Sequence, residues 1–104
     1  MTNFVVLYTG CTMPESPEDV AAVMAAWGAW YGGLGEAIVD GGNPFSRAKH
    51  VDADGVKDGS ASTPSVTGYT IIAAESLDAA VQMVANHPHI KYGGQVTVHE
   101  SFKM

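Results

Sequence analysis

Two histidines flank a proline at His87-Pro88-His89, and no other short segment of the chain has a comparable capacity to move a proton. The apolar spacing before it predicts a helix over Leu77–Asn86, with Pro88 as its stop. At a helix C-terminus the dipole favours the imidazolium form, which makes His87 a candidate general acid or base. Such a residue needs an oriented partner, and Asp40, at the end of a short apolar run, is the candidate for that role. A histidine before proline also serves simply to cap the last helical carbonyls, and both roles stay open at this point.

Other residues suggest a binding site rather than a reaction. Trp27, Trp30 and Tyr31 lie close together on one predicted helix, where three-residue spacing spreads two tryptophans around the axis. One of them packs inward and the other is free to rim a cleft, so Trp27 and Tyr31 are candidate ligand contacts alongside His89. The turn Gly41-Gly42-Asn43 offers backbone NH groups and the Asn43 amide, without the basic context of a phosphate loop. His50 and His99 stand apart from the histidine pair, and zinc requires three or four converging ligands, so no metal and no other cofactor is expected. Asp52-x-Asp54-Gly55 lacks the terminal acidic ligand of a calcium loop and reads as a turn. Cys11, with no neighbouring His or Lys to lower its pKa, reads as inert.

The elements that must hold these residues follow from periodicity. Phe4–Tyr8 is a first strand, rich in β-branched and aromatic residues. Ser16-Pro17-Glu18-Asp19 is a helix start, with a capping serine, proline at the first position and acids in the first turn. Val20, Val23, Met24, Trp27, Tyr31 and Leu34 recur at helical steps, and Gly32, Gly33 and Gly35 close the helix. A second strand is expected around Ala37–Asp40, then an extended arm over Phe45–Val51 that returns at Asp54-Gly55. Asp52–Ser65 is rich in Gly, Ser and Asp and reads as a loop. Tyr69–Ala74 is a third strand. Ser76 caps the second helix, with Leu77, Ala80, Val81 and Val84 on one face, and Gln95–Phe102 is the last strand. Two βαβ halves in one antiparallel sheet make a ferredoxin-like βαββαβ arrangement of the α+β class.

Composition narrows the class of protein. A chain of 104 residues is one domain. Eleven acids against five bases give a formal charge of −6, and the bases form no patch, which argues against nucleic acid as a partner. The first residues show no basic leader and no long apolar run follows, so a cytoplasmic protein without membrane segments is expected. Only 15% of residues are charged, against a usual share of about 25%. Apolar residues occupy both parities of the first and third strands, so both sheet faces ask for cover while the topology puts both helices on one. A second copy of the sheet is the economical cover, which predicts a homodimer; a merely apolar outer face is the alternative. Ala21, Ala22, Ala25, Ala26, Gly28, Ala29 and Gly32 leave a small-residue face on the first helix, open to a higher assembly or to no partner at all.

Three stretches carry a likeness to known proteins. Gly35–Phe45, Val66–Ile72 and Ala79–His89 resemble, in order and across nearly the whole chain, the YCII-related (DGPF-domain) family. That family is similar to the dimeric α/β barrel superfamily, which includes muconolactone isomerases and small monooxygenases. The resemblance implies a dimeric α/β barrel, two sheets facing each other, and a cleft between sheet and helices. Where the family often shows Asp-Gly-Pro-Phe, this chain has Asp58-Gly59-Ser60-Ala61. A subset of the family looks to carry a His in the first helix and an Asp just before the proline after the second. Here Met24 and Trp27 lie near the first place and His87 fills the second, so that dyad does not carry over.

Two functions are therefore expected in parallel. One is cofactor-independent acid–base chemistry on an organic acid, lactone or phenolic compound, with His87 and Asp40 moving protons. The other is a non-catalytic binding or accessory protein that uses the same cleft to hold a metabolite, or serves as a scaffold.

Overall fold

Alternation along the two longest strands sets the architecture. In the computed structural model, which describes residues 1–10, 16–61 and 65–102, strand β1 (Thr2–Thr9) buries Phe4, Val6 and Tyr8 on one face. Cys11, read from the sequence as inert, lies outside the described residues. Helix α1 (Pro17–Leu34) leads to a short 3-10 turn and strand β2 (Ile38–Asp40). Strands β3 (Lys49–Asp52) and β4 (Gly55–Asp58) form a hairpin, and β5 (Val66–Ala74) returns to the main sheet. Helix α2 (Leu77–Val84), a single helical turn α3 (Pro88–Lys91) and strand β6 (Gln95–Glu100) complete the chain. The main sheet has the order β2-β5-β1-β6, with β1 antiparallel to both neighbours and β5 antiparallel to β2. This is the expected ferredoxin-like arrangement with one inserted hairpin.

The helix starts are built as their sequences predict. Ser16 accepts the Asp19 backbone N–H at 3.1 Å and Ser76 accepts that of Ala79 at 3.1 Å. Each such cap is worth about 1 kcal/mol. The core joins Phe4, Val6, Tyr8, Ile72 and Ala74 of the sheet to Ala80 and Val84 of α2. Full burial of side chains such as Phe4 and Ile72 contributes about 1.5–3 kcal/mol each. The opposite parity, Val5 and Leu7 on β1 with Tyr69, Ile71 and Ala73 on β5, is half-buried. No helix among the described residues is long and apolar enough to cross a membrane.

Three expectations are corrected. Helix α2 ends at Val84, and Pro88 opens α3 instead of stopping α2. Proline lacks the N–H that the first helical turn leaves unused, so it starts a helix as readily as it ends one. Leu77 and Val81 are exposed, and Ala79 and Met83 lie against the core in their place. Both sets share Ala80 and Val84, so spacing alone does not choose between them. Finally, the segment read as a loop contains β4, which pairs with β3 through Val51↔Val56 and Lys49↔Asp58. The hairpin's contacts are chiefly between its own two strands, and it stands away from the domain as an arm.

Candidate functional site

The cavity is made by the way residues 42–45 pass across the sheet edge. Gly42 has φ 75°, and a Cβ there would lie 1.7 Å from the Tyr69 carbonyl oxygen, so only glycine fits. The close approach lets the Phe45 N–H reach the Thr67 carbonyl at 2.8 Å and sets Pro44 opposite Gly68. Between this crossing segment, α1, the end of β1 and α3 lies a cavity of about 610 Å³. Small-molecule pockets usually measure about 300–1,000 Å³.

Trp27, Tyr31, Asn43 and His89, all candidate ligand contacts from the sequence, line this cavity. The two tryptophans divide as their spacing requires. Trp27 is at the wall, while Trp30 packs on the core and donates its indole N–H to the Met83 carbonyl at 3.1 Å. No Asp, Glu, Lys or Arg is among the described lining residues.

Sequence reasoning missed the polar chain at the cavity floor. The Tyr31 hydroxyl donates to the Gly41 carbonyl at 2.8 Å, and Thr70 donates to the same oxygen at 3.1 Å. Thr70 has one proton to give, so the 2.7 Å bond between Tyr8 and Thr70 is donated by the Tyr8 phenol. Burial pushes the Tyr8 phenol well above its ordinary range; the Thr70 bond opposes this and the nearby Tyr31 adds to it. Tyr8 therefore stays protonated at neutral pH. The available signal was parity, because Tyr8 and Thr70 both fall on the buried side of their strands.

The histidines exchange the roles expected of them. His87 is buried and caps α3, its Nδ1 accepting the His89 backbone N–H at 3.0 Å. Its ring sits among Trp30, Trp27 and Tyr8, with centroids at 4.2, 4.4 and 4.8 Å. Burial, helped by His89, pushes its pKa down to about 4, opposite to the rise expected at a helix C-terminus. The helix it was to terminate has already ended, and desolvation dominates. His87 Nε2 is buried without a hydrogen-bond partner.

Asp40 does not meet His87. Its Oδ1 accepts the Gly42 N–H at 2.8 Å and its Oδ2 lies 3.5 Å from the Tyr69 hydroxyl. The structure thus brings four of the six candidate residues to one cavity and leaves His87 and Asp40 apart from each other.

His89 is the imidazole at the cavity. Its Nε2 lies 2.7 Å from the Thr9 carbonyl oxygen, which can only accept, so Nε2 carries a proton. In the neutral ring Nδ1 then holds the free lone pair. A Cβ at Gly94 would lie 2.2 Å from His89 Nε2, so that glycine makes room for the ring. Among the described residues no group of three or more His, Cys, Asp or Glu side chains is placed to hold a metal ion.

No protein-family model matches the chain, and no curated protein matches it. Solved structures do. The 5-chloro-2-hydroxyhydroquinone dehydrochlorinase TftG of Burkholderia phenoliruptrix AC1100, solved with 2,5-dihydroxybenzoquinone, is similar with TM-score 0.56 and 23% identity. The match covers 96% of this chain and 93% of that one. A protein of Arabidopsis thaliana is similar with TM-score 0.43 and 16% identity over 100% of this chain and 96% of its own. At these identities the likeness to the dehydrochlorinase speaks to architecture, and it agrees with the ferredoxin-like fold read from the strand order.

Proposed function

We propose that this chain is a small-molecule-binding protein of the YCII-related type, acting as a homodimer, whose cavity takes one small organic molecule without negative charge. The observation that carries this reading is the cavity of about 610 Å³ walled by Trp27 and Tyr31 and lacking charged side chains among its described lining. Apolar walls with a few fixed polar groups are the usual form of a ligand pocket. An organic acid, one of the expected substrate classes, would meet no cation there and would lose hydration without return. A phenolic or quinonoid ring remains a suitable class. The dehydrochlorinase neighbour holds 2,5-dihydroxybenzoquinone, which gives the same size class by analogy.

Calorimetric titration with monocyclic phenols and quinones tests this. Saturable one-to-one binding, weakened at least tenfold in Trp27→Ala, is the expected result. No heat of binding from any member of the panel at millimolar concentration would overturn it.

Catalysis is a second reading, favoured by the orientation of His89. An imidazole held through Nε2–H by a carbonyl presents Nδ1 as a proton acceptor, which is the arrangement of a general base. Cofactor-independent proton transfer through His89 predicts ligand C–H exchange with deuterated solvent, visible by NMR. His89→Gln should bind the ligand and lose that exchange. Exchange that persists in the variant contradicts the catalytic reading and leaves the binding reading intact.

A further inference from the structure

The chemistry of the cavity wall bears on the charge of its ligand. We infer that the cavity is selective for an organic cation, of the quaternary-ammonium or N-alkylated aromatic type, held against aromatic faces; this rests on the binding reading above. Six of the fourteen described lining residues are Tyr8, Trp27, Tyr31, Phe45, Tyr69 and Tyr92. Four of these rings form two pairs. Trp27 and Tyr31 lie 6.1 Å apart on α1, and Phe45 stacks on Tyr69 at 5.7 Å with their planes 25° apart. The negative faces of such rings attract cations, most strongly when the site is dry.

Three phenols have their protons directed away from a ligand's use. Tyr31 donates to the Gly41 carbonyl, Tyr8 donates to Thr70, and the Tyr69 hydroxyl faces the Asp40 carboxylate at 3.5 Å. A phenol that donates to an acceptor gains electron density in its ring, which strengthens attraction for positive charge. Asp40 thereby sets a negative charge beside the Tyr69 hydroxyl, outside the described lining.

The wider field has the same sign. The chain carries a formal charge of −6, and three of its five bases, Arg47, Lys49 and Lys57, are on or beside the β3–β4 arm. Lys91 on α3 is exposed and is not among the lining residues. A net negative charge on the whole molecule attracts cations and repels anions, and no Asp, Glu, Lys or Arg is among the described lining residues to offset it.

Three meta-substituted phenols separate this inference from the reading beneath it: 3-hydroxyphenyltrimethylammonium, its neutral isostere 3-tert-butylphenol, and 3-hydroxybenzoate. Calorimetry at pH 7 and low salt, where the phenol of the cationic probe is mostly protonated, should give the cation at least about tenfold tighter binding than the tert-butyl compound, with the benzoate weakest. Phe45→Leu, at a half-exposed ring of the lining, should narrow that cation preference several-fold, because leucine fills space there without an aromatic face. If the neutral isostere binds as tightly as the cation, or the benzoate binds best, the charge inference is overturned and the cavity reading stands. If none of the three binds, both fall.

Discussion

At the scale of single residues, neighbours within one tripeptide do different work because their surroundings differ. His87 is desolvated by three aromatic rings and stays neutral in the fold, whereas in the unfolded chain it titrates near 6.5. The unfolded state therefore binds the extra proton between about pH 6.5 and pH 4, so stability falls as pH drops through that window and is fully present above it. The loss should be on the order of 2–3 kcal/mol. Urea unfolding at pH 7 and pH 4.5 should show it in the native chain and a smaller change in His87→Leu. An equal pH response in both would contradict the buried neutral imidazole. The tripeptide was legible as a place where protons matter. Which ring faces the cavity was not, since that depends on α2 ending three residues before His87.

Single glycines divide in the same way. Gly42→Ala places a Cβ on the Tyr69 carbonyl at a positive φ and should cost more than about 3 kcal/mol or prevent folding. Gly28 lies inside α1 with nothing within 4 Å of a Cβ. Gly28→Ala should therefore stabilise the protein by about 0.5–1 kcal/mol, because alanine loses less backbone entropy in a helix. Thermal melts of the two variants should move in opposite directions.

At the scale of elements, β1, β5, α1 and the caps at Ser16 and Ser76 were readable because local pattern and tertiary role agree. β-branched runs with Phe4 and Val6 on one parity became a core-facing strand, and serine followed by acids became a capped helix. The β3–β4 arm was half-readable: Asp54-Gly55 gave the turn, and β4 was hidden by a sequence of Gly, Lys and Asp around one valine. That strand exists through pairing with β3, and its pattern alone carries no apolar alternation. Helix α3 was hidden because His-Pro reads as an ending. The cavity was partly readable for a related reason. Residues on one helix face, Trp27 and Tyr31, announce themselves by spacing, whereas Tyr8 and Thr70 meet across 62 positions of sequence.

At the scale of the whole molecule, the radius of gyration is 15.0 Å, above the roughly 13 Å expected for a domain of about 100 residues. The projecting arm accounts for part of that excess. The half-buried face of Val5, Leu7, Ile71 and Ala73 is the surface on which the proposed homodimer would form, and Tyr69, of the same parity, also lines the cavity. Sedimentation at micromolar concentration should give a dimer, and Ile71→Lys should return a folded monomer. A native chain that sediments as a monomer at high micromolar concentration contradicts the dimer and leaves the cavity, which lies within one chain, untouched.

The two tryptophans allow a direct test of the cavity itself, because one lines it and the other is tied to Met83. In a two-dimensional NMR spectrum each indole N–H gives its own peak, and both can be followed while 3-tert-butylphenol is added. The cavity predicts that the Trp27 peak shifts saturably and the Trp30 peak, held on the Met83 carbonyl, moves far less. A Trp27 peak that does not move, or two peaks that move together without saturation, would contradict a ligand site between α1 and the sheet.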